Sequence, residues 1–129
     1  MATSTKQDSI SAFFAKYPPR VRELATAARL CVRSAIPDAV ETLDESGRVV
    51  GYAIGAGYSG LVCTIIPSKT GLKLGVVRGA ELPDPNGLME GAGKRHRYLQ
   101  ISTTSDVERP GIAELLQAAR RAAIRKPTA

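Results

Sequence analysis

Apolar residues recur at helical spacing at both ends of this chain and at strand spacing through its middle. Near the N-terminus, Ile10, Phe13, Phe14 and Tyr17 fall on one face of a short helix. Asp8 or Ser9 can cap it, and Pro18-Pro19 interrupts it. Pro19 suits the first turn of a second helix, where its missing N–H is no loss. Val21, Leu24, Ala28, Val32 and Ile36 then form one apolar stripe up to Pro37. Beyond Pro37-Asp38 the period drops to about two. Residues 39–43, 49–54, 61–66, 72–77 and 98–101 read as short strands, separated by Glu45-Ser46-Gly47, Gly55-Ala56-Gly57, Ser68-Lys69-Thr70-Gly71 and a long connection from Gly79 to Gly93. Such short connections demand antiparallel neighbours, because parallel pairs need long crossovers. The run 61–66 is apolar on both faces and so belongs in the centre. Lys73 and Gly75 alternate with Leu72, Leu74 and Val76, as in a half-buried strand. Pro110 then favours the start of a last helix, with Ile112, Leu115, Leu116, Ala119 and Ala123 facing inward.

The resulting order, α-α-β(5)-α, predicts an α+β fold in which an antiparallel sheet of about five strands packs on helices. Residues 1–7 are small and polar and are expected to be disordered. Residues 8–124 form one domain, and residues 125–129 form a frayed basic tail. At 129 residues the chain supports one core. No apolar run is long enough for a membrane span and no signal region opens the sequence, so a cytoplasmic protein is expected. The two cysteines, Cys31 and Cys63, lie inside a helical and a strand pattern, too few for a disulfide framework or a zinc site. Both are expected to be buried thiols.

Net charge is +6 and unevenly placed. From Lys94 onward eight Lys or Arg face three acids, whereas the first 93 residues carry ten against nine. That asymmetry points to an anionic partner. The segment from Leu82 to Ile101 concentrates the candidate chemistry. It joins a turn-rich stretch, glycines at 91 and 93, the block Lys94-Arg95-His96-Arg97, and a strand. Strand alternation puts Arg95 and Arg97 on the side of Leu99 and Ile101. With the Gly91 and Gly93 amides and Lys94 they would form a pocket for carboxylate or phosphate. Gly91-Ala92-Gly93-Lys94 lacks the GxxxxGK spacing of a phosphate-binding P-loop.

Several blocks resemble the YdhG-like family, an uncharacterised bacterial family described as a domain of unknown function. They are Ile10-x-x-Phe13-Phe14, Ile36-Pro37-Asp38-Ala39-Val40-Glu41, Gly79-Ala80-Glu81-Leu82-Pro83-Asp84-Pro85 with Gly87-Leu88, Glu90-Gly91-x-Gly93-Lys94, and Arg97-Tyr98-Leu99-Gln100-Ile101. The resemblance covers nearly all of residues 8–124 and implies a small antiparallel sheet covered by helices. One relative is a frataxin-like iron chaperone, so the resemblance also brings in iron delivery. Many relatives carry aromatic residues, often tryptophan, around the first hairpin and the third strand, and this chain has no tryptophan. Only Tyr52 and Tyr58 could replace them.

Four functional classes follow. The leading one is a non-enzymatic binding domain for a small anionic ligand or a protein partner, built on Gly91, Gly93, Lys94, Arg95 and Arg97, with no cofactor. A second is iron binding by Asp38, Glu41 and Asp44 with the only histidine, His96. A third is salt-sensitive nucleic-acid binding by an Arg22, Arg29 and Arg33 stripe with the basic C-terminus. Without interleaved aromatics it would lack base stacking. Catalysis is the weakest, since Tyr58, Ser59, Cys63 and Thr64 have no activating neighbour in sequence, and Glu41 and Glu90 pair only on paper. Open sheet edges leave a monomer or a homodimer.

Overall fold

The computed structural model describes residues 5–55 and 60–125. It shows helices α1 (Thr5–Phe14) and α2 (Pro19–Ala35), then strands β1 (Val40–Asp44), β2 (Val49–Ala53), β3 (Leu61–Pro67), β4 (Leu72–Val76) and β5 (Arg97–Ile101), and finally α3 (Ile112–Arg125). The fold is the expected α+β arrangement. Its strands pair antiparallel in chain order, β1-β2-β3-β4-β5, so β3 is central as its two apolar faces require. Every strand ends within one residue of its expected limit, which is the ordinary uncertainty of such boundaries.

Three boundaries differ. Helix α1 begins at Thr5, inside the stretch expected to be disordered, and α3 reaches Arg125, the first residue of the expected tail. Residues 1–4 and 126–129 lie outside the described residues. Between β5 and α3 the chain makes a 3₁₀ helix, Thr104–Glu108, so α3 starts at Ile112 and not at Pro110. Among the described residues no helix is long and apolar enough to cross a membrane.

The register explains the layering. Leu43, Val50, Ile65, Leu74 and Leu99 stand opposite one another in a row across all five strands, on the face covered by the helices. Val50, Ile65, Leu74 and Leu99 are fully buried there with Leu24, Ala28, Val32 and Leu116. Full burial of such a side chain is worth about 1.5–3 kcal/mol, so this row and the two apolar helix stripes supply the main cohesion. The parallel row on the other face is Thr42, Gly51, Thr64, Gly75 and Tyr98. It is polar or small, as an uncovered face should be. Cys63 is fully buried and Cys31 half-buried, and both thiols are free.

Candidate functional site

The segment Gly79 to Ile101 folds by its own hydrogen bonds. A 3₁₀ turn, Gly79–Glu81, follows β4. The Asp84 carboxylate then accepts the Leu88 amide at 2.8 Å and the Met89 amide at 2.9 Å. Glu90 and Tyr98 exchange two backbone bonds, of 2.7 and 3.1 Å, and so close the intervening residues into a loop. Gly91 has φ +109°, and a side chain there would also meet the Tyr98 ring, so glycine is required at that crossing.

That loop does not make the expected anion pocket. Arg97 opens β5 on the covered face, paired with Val76, but its Nε donates to the Gly93 carbonyl at 2.9 Å. The guanidinium is thereby used to hold its own loop. Arg95 precedes the strand and is exposed, as are Gly91, Gly93, Lys94 and His96. Alternation across 95 and 97 fails because the strand begins at 97. Of three clefts on the described surface, none is lined by Gly91, Gly93, Lys94, Arg95 or Arg97.

The carboxylates expected to hold iron are likewise dispersed. Asp38 accepts from Arg120 Nε at 2.9 Å, and that bond holds its carboxyl below the usual range. Asp44 folds the first hairpin turn by accepting the Gly47 amide at 2.9 Å and the Ser46 hydroxyl at 3.0 Å. Glu41 is taken by Arg29 and Tyr52. Three residues apart on one strand, Glu41 and Asp44 point to opposite faces. His96 adjoins β5, four strand spacings from β1, or roughly 19 Å. Among the described residues no group of three or more His, Cys, Asp or Glu side chains could hold a metal ion. The donor set does not fit iron.

Glu41 anchors a buried polar cluster that sequence reading missed. Arg29 Nε donates to Oε2 at 2.7 Å and its terminal nitrogen to Oε1 at 3.0 Å, a bidentate pair, while the Tyr52 hydroxyl donates to Oε2 at 2.7 Å. Burial pushes the Glu41 carboxyl up, but the Arg29 and Tyr52 hydrogen bonds and the Arg29 and Arg33 charges outweigh it, so it lies below the usual range. Burial, and next the bond to Glu41, push the Tyr52 phenol far up. Arg29 is 9% exposed. The expected basic stripe Arg22-Arg29-Arg33 is therefore broken at its middle, and only Arg22 and Arg33 face solvent. Tyr52 is fully buried and offers no stacking surface, while Tyr58 and Ser59 lie outside the described residues. Glu41 and Glu90 sit at opposite edges of the sheet and form no acid–base pair. Burial, and next the nearby Cys31, push the Cys63 thiol far up, away from nucleophilic use.

A different site is assembled by topology. In a meander, alternate hairpins turn at the same end, so the β1–β2 and β3–β4 turns lie together, and α1 ends beside them. Between them opens a cleft of about 590 Å³ lined by Phe13, Lys16, Tyr17, Pro18, Glu45, Arg48, Pro67, Ser68 and Lys69. Phe13 and Tyr17 meet edge to face, with centroids 5.4 Å apart, and form an apolar floor with the two prolines. Three cations rise from three elements: Lys16 after α1, Arg48 in the first turn and Lys69 in the second. Neither ion pair seen among the described residues involves them. Both turns are internally tied. Asp44 closes the first, and the Ser68 hydroxyl accepts the Gly71 amide at 3.1 Å to close the second. Arg48 has φ +58°, a left-handed conformation that glycine or asparagine ordinarily fills in a hairpin loop. An arginine kept at such a position is conformationally costly, and its side chain borders the cleft.

No family model matches the chain, and no curated protein or solved structure matches it either.

Proposed function

We propose that this protein is a small non-enzymatic binding domain, of the YdhG-like type its sequence blocks resemble, and that it takes an organic anion in the cleft between α1 and the two hairpin turns. The observation that carries the reading is the set of three cations, Lys16, Arg48 and Lys69, which enter no ion pair among the described residues, around the apolar floor of Phe13, Tyr17, Pro18 and Pro67. Ligand sites commonly combine such a floor with a few polar groups in a volume of roughly 300–1,000 Å³. The helix-covered antiparallel sheet is also the architecture the resemblance implies.

Ribose 5-phosphate and succinate, titrated separately while amide shifts are followed by NMR, test the reading. Saturable shifts at residues 16–17, 45–48 and 68–70 are expected for at least one of them. Arg48→Gly removes the cation and relaxes the backbone. A left-handed residue costs about 1–2 kcal/mol and glycine adds about 0.5–1 kcal/mol of unfolded-state entropy, so this variant should gain about 0.5–1 kcal/mol of stability. Its affinity should nevertheless fall at least tenfold. Absence of binding, or loss of binding in a Lys94→Ala, Arg97→Ala variant while Arg48→Gly still binds, would overturn the assignment.

A further inference from the structure

The cleft's volume, charge and floor specify more than an anion. Inorganic phosphate has five heavy atoms and displaces on the order of three waters, ~90 Å³ at roughly 30 Å³ each, far less than the 590 Å³ present. The rest of the space is bounded by rings. Tyr17 is half-buried and Pro18 exposed, so these two offer flat apolar surface to the cleft above the buried Phe13 and Pro67. Against the three cations stands one carboxylate, Glu45, which has no hydrogen-bonded partner on its side chain among the described residues. The cleft therefore carries an excess of two positive charges, matched by one phosphate monoester dianion. Glu45 repels a more highly charged ligand and accepts a hydrogen bond from a hydroxyl or amino group. A ligand meeting all these demands has a planar ring for Tyr17, a phosphate for Lys16, Arg48 and Lys69, and a donor for Glu45.

Resting on the anion-binding reading above, we infer that the cleft takes a nucleoside monophosphate, its base against Tyr17 and its phosphate among Lys16, Arg48 and Lys69. Rings of this kind stack on aromatic side chains regardless of base identity, so the preference should be for a ring-bearing phosphate and only weakly for one base.

The full chain is titrated with AMP, ribose 5-phosphate and adenosine, against wild type, Tyr17→Leu and Arg48→Gly. Tyr17→Leu keeps an apolar side chain beside Phe13, and its melting temperature reports whether the fold is retained. Wild type should bind AMP about tenfold more tightly than ribose 5-phosphate, with adenosine weaker still. Tyr17→Leu should weaken AMP about tenfold more than it weakens ribose 5-phosphate, so that the two bind alike, and Arg48→Gly should weaken both phosphates. If AMP and ribose 5-phosphate bind equally and both need Arg48, the nucleotide inference falls and the anion site stands. If neither phosphate nor succinate binds, the anion site falls, and the nucleotide with it.

Discussion

Arg29 occupies a position of α2 where helical spacing leads one to expect a solvated cation, yet Glu41 draws it under the helix edge and Tyr52 completes the cluster. The side chains of Arg29 and Glu41 are 11% and 10% exposed, so the pair is shielded from water and removing one partner leaves the other buried and uncompensated. Arg29→Ala should therefore cost about 3–5 kcal/mol. Tyr52→Phe removes one hydrogen bond to a charged group that keeps two others, for about 1.5–3 kcal/mol. Urea unfolding of both variants measures that order, and a larger loss in Tyr52→Phe would contradict it. The pH dependence has a fixed sign. Folding lowers the Glu41 pKa, so the folded state binds that proton less well than the unfolded chain. Its contribution is fully present above the unfolded glutamate pKa, near 4.3, and is lost as pH falls through the lower folded value. Tyr52→Phe takes away one of the bonds that lower the pKa, so on acidification below the unfolded glutamate pKa it should lose less stability than wild type, and equal or larger losses in urea unfolding against pH would contradict this.

At the scale of elements, the hairpins and helices were legible because each repeats its apolar period over five or more residues between turn formers. The connections were not. The 3₁₀ helix Thr104–Glu108 has no period of its own and is organised by a single carboxylate: Asp106 accepts the Ser102 and Thr103 amides at 2.7 and 2.9 Å. An aspartate three residues after a threonine is too common a pair to announce this. The Asp84 loop works the same way, one side chain replacing a ladder of backbone bonds. Asp84→Ala strands the Leu88 and Met89 amides, and because Leu88 is buried beneath the loop its anchorage loosens as well. The expected cost is about 1–2 kcal/mol. Limited proteolysis should show faster cleavage within residues 83–96 than in wild type. Unchanged cleavage would mean that Pro83, Pro85 and the Glu90–Tyr98 bridge hold the loop without Asp84.

Across the whole molecule the charge asymmetry points to the C-terminal part of the chain, whereas the cleft proposed as the anion site draws its cations from the first 93 residues. Among the described residues the C-terminal cations lie mostly in an exposed loop and in α3, where Arg120 is already paired with Asp38. The three cations of the cleft come from the nearly neutral first 93 residues, and what concentrates them is the meander, which sets two turns 20 residues apart in sequence at one end of the sheet. Neither periodicity nor composition carries that information, because it depends on strand order. The same geometry separates local from global electrostatics. Arg121 follows Arg120, and Arg120 is tied to Asp38, at the opposite end of β1 from the first turn. Six extended residues span roughly 20 Å, about two Debye lengths at 0.1 M salt. Arg121→Glu should therefore weaken ribose 5-phosphate binding at 20 mM NaCl, where screening is slight, and change it less than twofold at 150 mM. Lys69→Ala should weaken it at both concentrations, since a cation against the ligand is poorly screened. Equal effects of the two variants at 150 mM would mean that net charge, and not the cleft, attracts the ligand.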